Sequence, residues 1–314
     1  MKTIEYLSDP ALRPVFLPAI IVVVAIGVLC SLTSVLVVLR RMAFVGQGVS
    51  HAALGGVGLA AALGLMSGSS GTLGPVQFGV IVSFCMLAGL TIGWMSKREG
   101  SSGNSAHVEP DTAIGVVLVV SMSVGAILLQ KFSPRGVAWE SFLFGSVLQN
   151  DARSAWMAWA VALASVLWLV MVRRRLTFWA FDPSAARAMG VRDTWLSMGL
   201  MLLLSVATVT AMQLAGVVLA TAMLVLPGAT ALALSKKLRV VLAIALGWGV
   251  LGGLLGVVLS FELDWLPGAT IVSVLGAGYA LALGVRTLLH RSSRHRSSLS
   301  SSLANPVTGS GASL

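Results

Sequence analysis

Apolar residues along this chain gather into nine long runs, near residues 15–38, 44–65, 75–95, 112–130, 154–172, 194–212, 213–233, 240–261 and 267–285, parted by short polar or basic segments. A helix rises 1.5 Å per residue, so about 20 apolar residues cross a hydrocarbon core about 30 Å thick. Strands of a membrane barrel would instead alternate polar and apolar in segments of about ten residues. These runs do not alternate, and the pattern predicts nine helical spans with an error of one. The weakest boundary lies between 194–212 and 213–233, where only Gln213 and Gly216 signal a reversal. Glycines four apart at Gly89/Gly93, Gly249/Gly253 and Gly252/Gly256 predict close helix packing, and Pro227 predicts a kink late in its run.

Composition agrees. Hydrophobic residues make up 57% of the 314 positions and charged residues 10%, with a mean hydropathy of +0.93. A soluble domain carries about 25% charged residues, so soluble, disordered and collagen-like chains are excluded. The expected fold is all-α, a polytopic transmembrane helical bundle. Lys and Arg number 21 against 11 Asp and Glu, in short clusters between the runs rather than on one face, which argues against nucleic-acid binding. Threading the spans from an outside N-terminus places 16 of the 21 basic residues inside, Arg40-Arg41, Lys97-Arg98 and Arg173 to Arg175 among them. The +10 charge is thus mainly a topology signal.

The predicted organisation is an extracytoplasmic segment 1–14, a transmembrane domain 15–285, and a disordered, basic, Ser-rich cytoplasmic tail 286–314. No compact basic-apolar-cleavage pattern marks a leader. Residues 96–110 read as a polar inside loop, and W-E-S-F-L-F-G within 131–153 as an interfacial or re-entrant turn. Cys30 and Cys85 lie in apolar runs, where inert thiols are expected rather than a disulfide. No G-x-x-x-x-G-K-[ST] phosphate loop is present, so any ATP hydrolysis of that kind belongs elsewhere.

Candidate chemistry concentrates in A-F-V-G-Q-G-V-S-H-A-A-L-G-G-V-G, residues 43–58. At 3.6 residues per turn Gln47 and His51 stack on one face, with Gly48, Gly55 and Gly58 close to it. His51 is the one histidine in any predicted span, and ionisable groups at membrane depth usually face a cavity or pathway. Imidazole suits borderline transition ions, and a carboxamide oxygen can add a weak second bond. The alternative is a packing histidine hydrogen-bonded to Gln47. Asp111, in E-P-D-T-A-I-G, is a further acidic candidate, although with Pro110 it also suits helix initiation. In F-D-P-S-A-A-R-A-M-G, residues 181–190, Asp182 can cap a short helix, Pro183 suits its first position and Gly190 its end.

The stretch R-R-M-A-F-V-G-Q-G-V-S-H-A-A-L-G-G-V (40–57) resembles the second helix of permease subunits of ABC importers for zinc, manganese and iron. D-T-A-I-G (111–115), F-L-F-G (142–145), F-D-P-x-x-A-R-A-x-G (181–190), L-A-G-V-V-L-A-T-A-M-L-V-L-P-G-A-T-A (214–231) and L-P-G-A-T-I-V (266–272) follow in that family's order, over about residues 15–285. The resemblance implies a bacterial inner-membrane conduit, not itself an enzyme, with no resident cofactor and a divalent metal ion as cargo. It implies a second permease subunit, two cytoplasmic ATPase subunits and an extracytoplasmic metal-binding protein as partners. It makes His51, Gln47 and Asp111 the candidate metal residues. The segment Asp182, Pro183, Ala185, Ala186 and Gly190 then resembles the coupling helix that plugs a groove on the ATPase.

One departure stands out: many relatives carry Asp where this chain has Gln47. A neutral carboxamide lowers resting affinity for a cation, and His51 without a charged neighbour leans toward Zn2+ over Mn2+. Two other functions compete. An ion-coupled secondary transporter needs several carboxylates or histidines deep in its spans, where this chain has almost only His51. An ABC permease for a larger metal chelate would want a wider, aromatic-lined cavity.

Overall fold

The computed structural model describes residues 13–40, 42–65, 75–97, 110–132, 152–181 and 193–303. All secondary structure among them is helical: α1 (Arg13–Leu39), α2 (Ala43–Ala62), α3 (Pro75–Lys97), α4 (Pro110–Phe132), α5 (Ala152–Phe181), α6 (Asp193–Ala215), α7 (Val217–Met223), α8 (Leu226–Leu234), α9 (Leu238–Leu263) and α10 (Pro267–Leu303). Backbone groups cannot be left unpaired in hydrocarbon, and a helix satisfies them within one segment.

Eight stretches are long and apolar enough to cross a membrane: Leu17–Leu39, Val76–Met95, Thr112–Phe132, Ala155–Val172, Leu196–Ala215, Val217–Leu234, Leu238–Leu263 and Pro267–Leu288. The 20-residue α2 is not among them, because its glycines, Gln47, Ser50 and His51 dilute its hydropathy. With α2 inside the bundle, the expected nine elements are all present. The reversal predicted from Gln213 and Gly216 falls at Gly216, which takes φ 87°, a left-handed conformation that glycine adopts freely. The run holding Pro227 is broken rather than kinked. It stops at Leu224–Val225 and restarts as α8, with Pro227 in the first turn, where its missing N–H costs nothing.

The core is built on α1, buried over most of its length against α5, α8 and α9. Two of the predicted glycine pairs form two separate seams of α9. Gly249 and Gly253 face α1 and its approaches, with Ser31 against the former and Val23 against the latter, while Gly252 and Gly256 receive Leu275 and Ile271 of α10. A methyl group at Gly256 would stand 2.5 Å from the Ile271 Cα. Such small-residue contacts replace the hydrophobic drive that lipid removes. The third pair divides: Gly89 lies against Ser205 and Met201 of α6, and Gly93 has open space beside it.

Cys30 and Cys85 are free and buried, the latter's thiol donating to the Val49 carbonyl at 3.5 Å. The end of the chain differs from the composition-based expectation. α10 runs past its span to Leu303, so the described part of the segment expected to be a disordered tail is helical. Extending a helix already nucleated in the span fixes one residue per added bond, which lets Ser- and Arg-rich sequence continue it. The N-terminal residues 1–12, most of the loop 96–110, the W-E-S-F-L-F-G segment, residues 182–190 and residues 304–314 lie outside the described residues.

Candidate functional site

The stripe on α2 starts open and ends sealed. Phe44 is 58% exposed, Gln47 is exposed and His51 is half-buried, at spacings of three and four that place them on one face. At 1.5 Å per residue His51 lies about 12 Å along α2 from its first residue, near mid-helix. Phe44 is the residue that sequence reasoning passed over on this face. Its position three before Gln47 was the available signal.

Beyond His51 the same face turns into a helix crossing. Gly55 lies against Phe84 of α3 and the Ser121 carbonyl of α4, and Gly58 against Gly125. A methyl group at Gly58 would stand 2.8 Å from the Gly125 carbonyl oxygen; one at Gly125 would stand 2.7 Å from both the Leu54 oxygen and the Gly55 nitrogen. Below them Gly48 meets Ile114. The pairs Gly48–Ile114, Gly55–Ser121 and Gly58–Gly125 keep an offset of 66 to 67 residues, so α2 and α4 run parallel in fixed register. On the other sides, Gly56 packs on the Ile81 backbone of α3 and Gly46 on Leu224, at the break between α7 and α8.

The glycines of the stripe are therefore packing residues. They bring α4 close enough to close one end of the face, and leave Phe44, Gln47 and, in part, His51 as its accessible side chains. Ser50, fully buried, donates to the Gln47 backbone carbonyl at 2.9 Å, which turns its hydroxyl inward along the helix. Among the described residues no hydrogen bond joins His51 to Gln47.

Asp111 occupies the first turn of α4, one turn before the Ile114 that packs on Gly48. The parallel register sets its backbone level with the start of α2, rather than with His51. Its side chain, and the segment Asp182 to Gly190, lie outside what is described. Among the described residues no three His, Cys, Asp or Glu side chains gather into a metal-holding group. What the geometry offers is one imidazole and one carboxamide on an open helix face, a sparse donor set suited to transient contact rather than permanent ligation.

Known proteins match this chain along nearly its whole length. The ABC 3 transport family matches residues 13–286. The chain is 34% identical over 283 residues to the manganese transport system membrane protein MntC of Halalkalibacterium halodurans, covering 90% of this chain and 91% of that protein. It is 28% identical over 281 residues to a probable iron transport system membrane protein of Haemophilus influenzae, covering 89% and 96%. Among solved structures, PsaBC from Streptococcus pneumoniae in complex with Fab superposes with a TM-score of 0.72 at 27% identity, covering 90% of this chain and 94% of that one.

Proposed function

The chain belongs to the ABC 3 transport family, and on that premise we propose that it is the membrane-spanning permease of an ATP-driven importer that carries a divalent transition-metal ion into the cytoplasm. The observation that carries this reading is the open segment Phe44–His51: a half-buried imidazole near the middle of the least apolar span, beside an exposed carboxamide. A conduit must hold its ion weakly enough to release it, which a sparse donor set does.

Relatives with manganese and iron in their names support metal as the cargo class. The neutral pair of His51 and Gln47 favours Zn2+ among first-row ions over Mn2+, which prefers oxygen ligands. Asp111, at the level where α2 begins, would serve as an acidic waypoint at the inner mouth. ATP hydrolysis would fall to two cytoplasmic subunits engaged by the segment Asp182, Pro183, Ala185, Ala186 and Gly190. A second permease copy or paralogue would complete the pathway, and an extracytoplasmic metal-binding protein would deliver the ion. The proposed setting is a bacterial inner membrane, N-terminus outside and C-terminus cytoplasmic, which places most of the basic clusters inside.

The test is uptake of labelled Zn2+, Mn2+ and Fe2+, each in competition with the others, in cells whose sole importer is this permease with its ATPase. His51→Ala should abolish uptake of the preferred ion while membrane abundance and co-purification with the ATPase are retained. Wild-type uptake in that variant would return His51 to a packing role. Uptake that persists without the ATPase would favour a secondary transporter.

A further inference from the structure

α2 differs from its neighbours in how little of it reaches the surface. From Phe44 to Ala60 every residue is buried except Phe44, Gln47, His51 and Leu59, and Leu59 lies past the glycine crossing. A helix that faces lipid looks different: α4 exposes Val116, Val119, Val120, Met122, Val124 and Ile127 in one broad apolar band. The narrow strip of α2 instead carries a carboxamide and an imidazole, and among the described residues the Gln47 side chain makes no hydrogen bond. An unpaired carboxamide is unfavourable in hydrocarbon, so this strip borders water rather than lipid.

Phe44 is out of place on such a strip. Among the described residues of α2 it is the one large apolar side chain that is exposed, about 4.5 Å before Gln47 and about 10 Å before His51 along the axis. Helical side chains lean toward the N-terminus, which carries the ring over the first turn rather than over the carboxamide. That is the end next to Arg40, inside in the proposed topology. The polar pair thus lies between two closures of different kinds. On one side the α2 and α4 backbones meet directly at Gly58 and Gly125. On the other stands a single aromatic ring, more than half exposed and so free to turn about its side-chain bonds. As a ligand the ring offers a hydrated cation no lone pair to replace water. As a constriction it offers a barrier, because an apolar narrowing expels water and the ion with it until the side chain moves aside.

We infer that Phe44 is the movable seal at the inner mouth, excluding water from Gln47 and His51 until its ring turns away. This role rests on the conduit reading proposed above, with the second permease as the wall against which the ring closes. It sets when the site is open to the cytoplasm, not which ion enters.

The experiment uses Gln47→Cys as a reporter in inside-out membrane vesicles holding the permease with its ATPase, treated with a charged, membrane-impermeant methanethiosulfonate. Such a reagent reaches a thiol only through water, and Cys30 and Cys85 are buried. Adding Phe44→Gln, similar in length but wettable, should raise the modification rate on the order of ten-fold, the factor that corresponds to losing the burial of one phenyl ring. Adding Phe44→Leu, smaller but apolar, should leave the rate near that of the parent. His51→Cys, one turn deeper, repeats the comparison with an independent reporter. Rates that follow side-chain size, fast for leucine and slow for glutamine, would overturn the seal in favour of simple crowding. Equal rates in all three backgrounds would overturn it outright, and absence of modification in all of them would overturn the wet strip on which it stands. Faster modification in right-side-out than in inside-out vesicles would overturn its placement at the inner mouth. Labelling needs neither metal nor ATP, so it can fail while the unmodified chain still takes up metal, and succeed where uptake fails.

Discussion

The α2–α4 crossing makes a quantitative prediction because the same helix carries its own control. Gly125→Ala places a methyl group 2.7 Å from three backbone atoms of α2, whereas Gly115→Ala, also on α4, places one where nothing lies within 4 Å. Ordinary contact begins at 3.4 Å, so the helices must part by roughly 0.7 Å at Gly125 or distort to the same extent. Backbone cannot swing aside as a flexible side chain does, and overpacking of this kind costs about 1–3 kcal/mol. Both substitutions gain the same helix propensity, about 1 kcal/mol. That gain cancels in the comparison, leaving Gly125→Ala less stable than Gly115→Ala by about 1–3 kcal/mol. The assay is unfolding of the full chain in mixed micelles titrated with SDS and followed by circular dichroism. The same displacement moves the face carrying His51, so metal uptake should fall in the first variant and hold in the second. Equal stability of the two variants would refute the close approach, and with it the division of the stripe into a sealed and an open part.

Three further outcomes are expected. Gln47→Asp sets a full negative charge beside the proposed ion path; equilibrium binding of divalent metal should tighten by at least about ten-fold, while maximal uptake slows because release becomes limiting. Ala186→Glu should abolish co-purification with the ATPase subunits while the permease still reaches the membrane; unchanged co-purification would count against the coupling segment. Cys30 and Cys85, both fully buried, should resist a membrane-permeant maleimide in the folded protein and react after denaturation, as read by mass spectrometry.

The spans were legible because a bilayer imposes a length and an apolarity that few other environments demand. Their ends were read less well. α5 runs nine residues past the predicted limit at 172, and α10 continues to Leu303, because helices persist in water once a span has nucleated them. The polar stripe of α2 could be seen in the spacing of Gln47 and His51, yet its division could not. Gly48, Gly55 and Gly58 look alike in sequence, and their fate depends on Ile114, Ser121 and Gly125, some 66 residues away. Pro227 announced a disturbance in its run, but the approach of Gly228 to the Ser34 backbone, at 2.6 Å from an added methyl, involves a helix nearly 200 residues away and left no local signal.

Where the α2 and α4 backbones meet at Gly55, Gly58 and Gly125, the two helices touch too closely to move apart independently. In the transport reading proposed above α2 and α4 move as one pair, and shear falls at looser borders such as that between α3 and α6, where even a methyl added at Gly89 would stand 3.6 Å from its nearest neighbour. In that reading the imidazole travels with its partner helix, and its surroundings on that side stay the same through the proposed cycle.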